Sequence, residues 1–191
     1  MSKCERCGTS MPSYDTVHYG NVSKSETLCT ACFNAAAADR MGIEIEPANF
    51  QSVTLKGSDG RSHVFHVRRR LCPTGQVLET FEVKRGAPTG YQFAILGDFT
   101  EDPMELLAGL YERMRRAVAR KHLEKSDYGT HLTSTGPIRG RISSDYRREP
   151  EPLPVIVIDG REFSWEQFGR MLLSFEGWQF RLEILDRTEE V

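Results

Sequence analysis

The sequence predicts an α+β protein. A small N-terminal four-cysteine module precedes an antiparallel β-meander with a long helix, and a C-terminal ββαβ unit packs on that meander. Three observations carry this. Two Cys-x-x-Cys pairs, Cys4/Cys7 and Cys29/Cys32, flank 21 intervening residues. Strand-period alternation broken by Gly/Pro turns fills residues 53–95. Capped helical stripes begin at Asp102 and Ser164. The expected units are a metal-binding module at 1–47, a sheet plus helix at 48–125, a Gly/Pro-rich linker or loop at 126–154, and a hairpin-helix-strand unit at 155–191 sharing the core of 48–125.

In the first unit, two residues between paired cysteines let one tight turn aim both sulfurs at a single ion. Gly8 follows Cys7, where such a knuckle needs positive φ. Tyr19-Gly20-Asn21-Val22 reads as a hairpin turn. Cys29 and Cys32 lead into the Ala-rich run Phe33–Met41, a strong helix former stopped by Gly42. The second pair therefore belongs on the first helical turn, where free N–H groups stabilise thiolates. Four thiolates suit tetrahedral zinc. An iron–sulfur cluster takes the same ligands, and a redox dithiol is the other competitor, although nothing before Cys4 supplies its βαβ context. A closed four-cysteine shell leaves no position for water, so the expected Zn2+ is structural. His18 reads as a surface hairpin residue, and Cys72, in Leu71-Cys72-Pro73, as a small inert hydrophobe.

Knuckle, hairpin and a helix opening on Leu28-Cys29-Thr30-Ala31-Cys32 resemble the treble-clef zinc fingers of the GATA type. The resemblance spans Met1–Gly42 and implies zinc ligation by Cys4, Cys7, Cys29 and Cys32. It does not bring DNA reading with it. The spacer is longer than in GATA fingers, and Glu44 and Glu46 stand where a basic tail would follow.

In the middle unit, Val53 and Leu55 pair with Val64, Phe65 and Val67 across Gly57-Ser58-Asp59-Gly60. Val77, Phe81 and Val83 make a third strand, and Tyr91, Phe93 and Ile95 a fourth. Asp102 caps the helix, Pro103 sits at N1, and Glu105 completes a capping box. Leu107, Leu110, Met114 and Ala117 or Val118 form its core stripe. His63 and His66 are three apart on a strand, so they point to opposite faces and do not chelate one ion. Arg68, Arg69 and Arg70 split across the faces in the same way.

In the segment 126–154, Ile138, Gly140 and Ile142 alternate with Arg139 and Arg141, as in a short strand that presents both arginines on one face. The run Arg147–Pro154 reads as polyproline-like. After it come a strand at Val155–Ile158, an Asp159-Gly160 turn, and a helix capped by Ser164 with Gln167. The helix shows Trp165, Phe168, Leu172 and Phe175 on one face, and Gly169 suggests close packing. Trp178, Phe180, Leu182 and Ile184 alternate as a last strand. The stretch Val157–Ile184 is similar to a C-terminal domain of uncharacterised bacterial proteins, a likeness that brings no activity with it.

Charge and motifs bound the function. The net charge is −2, and basic residues concentrate in the middle: 13 basic and 10 acidic over 48–127, against 4 and 6 over 1–47. Arg68, Arg69, Arg70, Arg113, Arg116, Arg120, Lys121, Arg139 and Arg141 are the candidate contacts to anions or nucleic acid. No apolar run reaches a membrane span of about 18 residues, and the polar N-terminus lacks a signal-like stretch, so the expected compartment is the cytoplasm. The chain contains no Walker loop, G-x-G-x-x-G, G-x-S-x-G or H-E-x-x-H. The expectation is a non-enzymatic, zinc-stabilised adaptor of bacterial type that binds another protein. Nucleic-acid binding through the middle unit is the alternative, and an enzyme with a site near 126–154 the second.

Overall fold

A chain with this many short alternating segments must pair them locally, and it does. The computed structural model describes residues 1–21, 24–127, 129–145 and 151–189. Val22 of the expected N-terminal turn lies outside them, as do Arg147, Arg148, Glu149 and Pro150 of the expected polyproline run. The fold is mixed α/β with three α-helices, and every strand pairing among the described residues is antiparallel.

The N-terminal region pairs β1 (Ser2–Lys3) with β2 (Ser10–Met11) and β3 (Thr16–Asn21) with β4 (Lys24–Cys29), then enters α1 (Thr30–Met41). Gly42 ends α1 at φ 67°, and the Ile43 amide bonds back to the Ala38 carbonyl.

The middle region is a meander of β5 (Val53–Lys56), β6 (Ser62–Cys72), β7 (Gly75–Lys84) and β8 (Ala87–Gly97), in that spatial order. One face is covered by α2 (Pro103–Ala119). Leu55, Phe65, Val67 and Leu78 pack there against Leu106, Leu110, Met114 and Val118. The buried helical stripe starts at Leu106 and not at Leu107, which is only partly buried beside it. Asp102 caps α2 through the Met104 amide, the second helical position, so Glu105 does not close the expected capping box.

β5 is much shorter than β6, which leaves residues 66–72 of β6 with an open edge. Buried Asn34 of α1 fills the gap. Its Nδ2 donates to the Arg69 carbonyl (2.8 Å), and its Oδ1 accepts from the Leu71 amide (3.0 Å). One side-chain amide thus replaces a strand partner, which explains a buried asparagine in an Ala-rich helix.

The last region differs from expectation. Residues 126–154 are not simply a linker: β9 (Leu123–Ser126) pairs with β10 (Gly129–Leu132), and β11 (Arg141–Asp145) pairs with β12 (Leu153–Ile158). β13 (Arg161–Ser164) completes a three-stranded sheet, and α3 (Trp165–Leu172) follows with its Ser164–Gln167 capping box. Asp159 and Gly160 turn the hairpin at φ 48° and 66°.

These extra strands supply a second core of Leu123, Leu132, Ile156, Ile158, Phe163 and Met171. The unit therefore does not share the core of the middle sheet. Counting from Leu123 rather than Val155 brings it past the size at which a core of its own forms. On α3, Met171 is the buried residue and Phe168 packs partly, whereas Trp165 and Leu172 are exposed. A Cβ at Gly169 would meet nothing within 4 Å, so that glycine marks no close packing. Trp178–Ile184 forms no strand; Trp178, Phe180, Leu182 and Ile184 are 65%, 90%, 73% and 69% exposed. The alternation is present, but no ladder among the described residues receives it.

Candidate metal centre and the basic residues

Each Cys-x-x-Cys pair is shaped by its own backbone. The Gly8 amide bonds to the Cys4 carbonyl and the Cys4 amide to the Thr9 carbonyl (both 3.0 Å), with Gly8 at φ 74°. That is a knuckle, and only glycine takes its left-handed position without strain. Cys29 is the N-cap of α1, and its Sγ accepts from the Cys32 amide at 3.4 Å. The β3–β4 hairpin brings the helix start back over the knuckle.

All four sulfurs lie within 4.8 Å of one another, and Cys7 and Cys29 are 3.8 Å apart. None is in a disulfide. A tetrahedron with metal–sulfur bonds of about 2.3 Å has edges of about 3.8 Å, whereas a disulfide would be about 2.05 Å. The cluster thus fits a four-thiolate metal site. Backbone amides, that of Cys7 first, lower the Cys4 thiol to about 6 despite its burial. Burial, reinforced by the other three sulfurs, pushes Cys32 up to about 12. Four thiolates at this spacing repel one another, and a cation at the centre relieves that repulsion. Cys72 lies apart, its Sγ beside Thr74 and the Gly75 carbonyl.

The expected basic residues divide into two groups. Arg68 and Arg70 share a face of β6 and both bind Glu79 of β7, at 2.8 and 2.7 Å. Arg187 reaches the same carboxylate. Arg68 also bonds to the Tyr14 carbonyl and lies over the Phe81 ring. Arg69 points to the other face, is buried, and donates to the Glu46 carbonyl. Arg68 and Arg69 hold the N-terminal region to the sheet, and Arg70 is tied within the sheet to Glu79. On the same face, His66 meets Asp15 at 3.3 Å, and Asp15 also accepts from Thr30.

The second group converges. Arg113 and Arg116 of α2 and Arg120 at its C-cap face Arg139 and Arg141 across a cavity of about 150 Å³ between α2, β8 and the β11–β12 region. Lys121 is exposed and does not line it. Sequence alternation had paired Arg139 with Arg141; only the fold sets them opposite the helix.

Sequence reasoning missed one buried pair. Glu82 is wholly buried, with Oε1 2.7 Å from His63 Nδ1 and 2.8 Å from Lys84 Nζ. Glu82 shares the inner face of β7 with Leu78 and Thr80 and lies opposite Phe65 of β6, on whose face His63 also falls. Strand parity was the signal that could have found the pair: His63 alternates in step with Phe65 and Val67, and Glu82 with Leu78 and Thr80.

Three family models match in succession: Domain of unknown function (DUF7685) over residues 3–44, (DUF7686) over 46–119, and (DUF7713) over 122–189. The first holds the four cysteines, the second the meander with α2, and the third the strands from β9 onward with α3. No curated protein and no solved structure matches the chain. No helix among the described residues is long and apolar enough to cross a membrane.

Proposed function

We propose that the protein is a non-enzymatic adaptor whose treble-clef-like N-terminal module is held by a structural zinc ion and whose C-terminal segment docks another protein. Cys4, Cys7, Cys29 and Cys32 would hold the zinc, which supplies no chemistry beyond cross-linking the knuckle to α1. The observation that carries the docking half is Trp178–Ile184. Four large apolar side chains alternate there with Gln179, Arg181 and Glu183, without a ladder partner among the described residues. Such a segment suits strand addition to a partner with an open, apolar sheet edge. The engagement of Arg68 and Arg70 by Glu79 supports this reading over nucleic acid.

The test uses zinc-loaded full-length protein and the double variant Phe180→Asp/Leu182→Asp. Zinc should be found at one ion per chain, and chelation should unfold residues 1–42 while strand β7 keeps its amide protection. A specific partner, identified by mass spectrometry and then purified, should bind the wild type and lose about tenfold or more in affinity for the variant. Equal binding by the two proteins would overturn the docking half. A chelator that leaves residues 1–42 folded would overturn the zinc half.

A further inference from the structure

The cavity between α2 and the β11–β12 region is not accounted for by the adaptor reading. Its wall carries six guanidinium groups against two carboxylates, Asp159 and Glu189. One of those carboxylates is already engaged: Asp159 Oδ2 accepts from the amides of His122 (2.7 Å) and Leu123 (2.8 Å). Of the arginines, Arg187 is paired with Glu79 outside the cavity. Arg113 is fixed by the carbonyls of Ala94 and Thr188, and Arg141 by that of Gly90. These bonds hold the guanidinium groups in place without neutralising them. Arg120 and Arg139 form no ion pair among the described residues, and Arg141 Nε is buried without an acceptor. Glu162 acts on Arg141 from β13.

Like charges do not gather on converging elements without cost. In a partly enclosed site water screens them poorly, and a bound anion relieves the repulsion. His122 registers this field. Burial lowers its pKa, and Arg139 and Arg120 lower it further, against the pull of Asp159. Guanidinium forks match phosphate oxygens in pairs, which a single lysine would not do.

Size narrows the class. Drug-sized ligands occupy about 300–1,000 Å³, and this cavity has about 150 Å³. A phosphate group with a few attached carbon atoms fits; a whole nucleotide or a duplex does not. The wall also offers the stacked rings of Tyr91 and Phe93, an apolar surface for those carbon atoms.

We propose that this cavity binds the phosphate group of a small phosphate monoester, with Arg120 and Arg139 as its principal ligands and Arg141 and Arg113 as fixed supports. The site is independent of the metal and of the Trp178–Ile184 segment. Inorganic phosphate, glycerol 3-phosphate and glycerol are titrated calorimetrically into the zinc-loaded full chain, and into Arg120→Gln, Arg139→Gln and Arg61→Gln. Arg61 is exposed, pairs with Asp59 and does not line the cavity.

Glycerol 3-phosphate should bind more tightly than inorganic phosphate, and glycerol should not bind. Arg139→Gln and Arg120→Gln should each weaken binding by about tenfold or more, while Arg61→Gln leaves it unchanged. Arg120 is exposed, so its variant tests the site without burdening the fold. Equal affinity in wild type and both cavity variants would overturn the proposal. So would the absence of binding by both phosphate compounds.

Discussion

Asn34→Ala isolates the joint between the cysteine module and the sheet. The substitution removes both bonds that Asn34 makes across the open edge of β6, to the Arg69 carbonyl at 2.8 Å and from the Leu71 amide at 3.0 Å. Both partner residues are buried, with relative exposures of 7% and 4%. A buried backbone group left unpaired costs about 1–3 kcal/mol, so losing two should cost about 3 kcal/mol. Alanine is the better helix former, but by no more than ~0.7 kcal/mol, and that gain cannot offset the loss. Hydrogen exchange resolved at the Leu71 amide is the assay. About 3 kcal/mol corresponds to roughly a hundredfold loss of protection there. Asn34→Asp keeps an acceptor for Leu71 but sets a carboxylate oxygen against the Arg69 carbonyl. It should protect Leu71 better than alanine does while still lowering stability. If Leu71 exchanges as slowly in Asn34→Ala as in the wild type, the edge is closed by something else and the reasoning fails.

Other outcomes follow from the same geometry. Gly90→Ala places a methyl 2.1 Å from Glu82 Oε2 at φ +68°, beside the buried His63–Glu82 pair; a loss of about 2–4 kcal/mol is expected in urea unfolding. Gly169→Ala, by contrast, meets open space within α3 and should raise stability by up to about 1 kcal/mol in the same measurement. Burial opposes ionisation of Asp15, but the bonds from His66 and Thr30 win and hold its pKa below 3.8. A carboxyl depressed on folding contributes stability that is present above its unfolded pKa and lost as pH falls through the folded one. Acid should therefore loosen the contact between the N-terminal region and the sheet below about pH 4, and Asp15→Asn should flatten that acid limb when exchange at His66 is followed against pH.

Much of the local structure was legible. The cysteine spacing, the caps at Asp102 and Ser164, the stop at Gly42 and the Asp159-Gly160 turn all appear where short-range stereochemistry puts them. Each depends on a few consecutive residues and on one backbone preference. The strands within 126–154 were only partly legible: alternation at Ile138–Ile142 suggested a short strand, but β11 runs over Arg141–Asp145, where one apolar residue stands among polar ones and pairing with β12 makes the strand. The last alternating run misled in the opposite direction. Its pattern is that of a strand, but a strand exists only when another accepts its hydrogen bonds.

By itself, the sequence determined the pieces: which residues turn, which cap, and which four sulfurs one knuckle and one helix start can aim. Only the tertiary structure decided what those pieces meet. It set Asn34 on the free edge of β6, brought His63 onto Glu82, spent Arg68 and Arg70 on Glu79, and drew Arg113, Arg116 and Arg120 toward Arg139 and Arg141. The reason is range. Torsional preference and hydrogen bonding act over a few residues along the chain, whereas charge and packing act through space and depend on where distant segments are brought together.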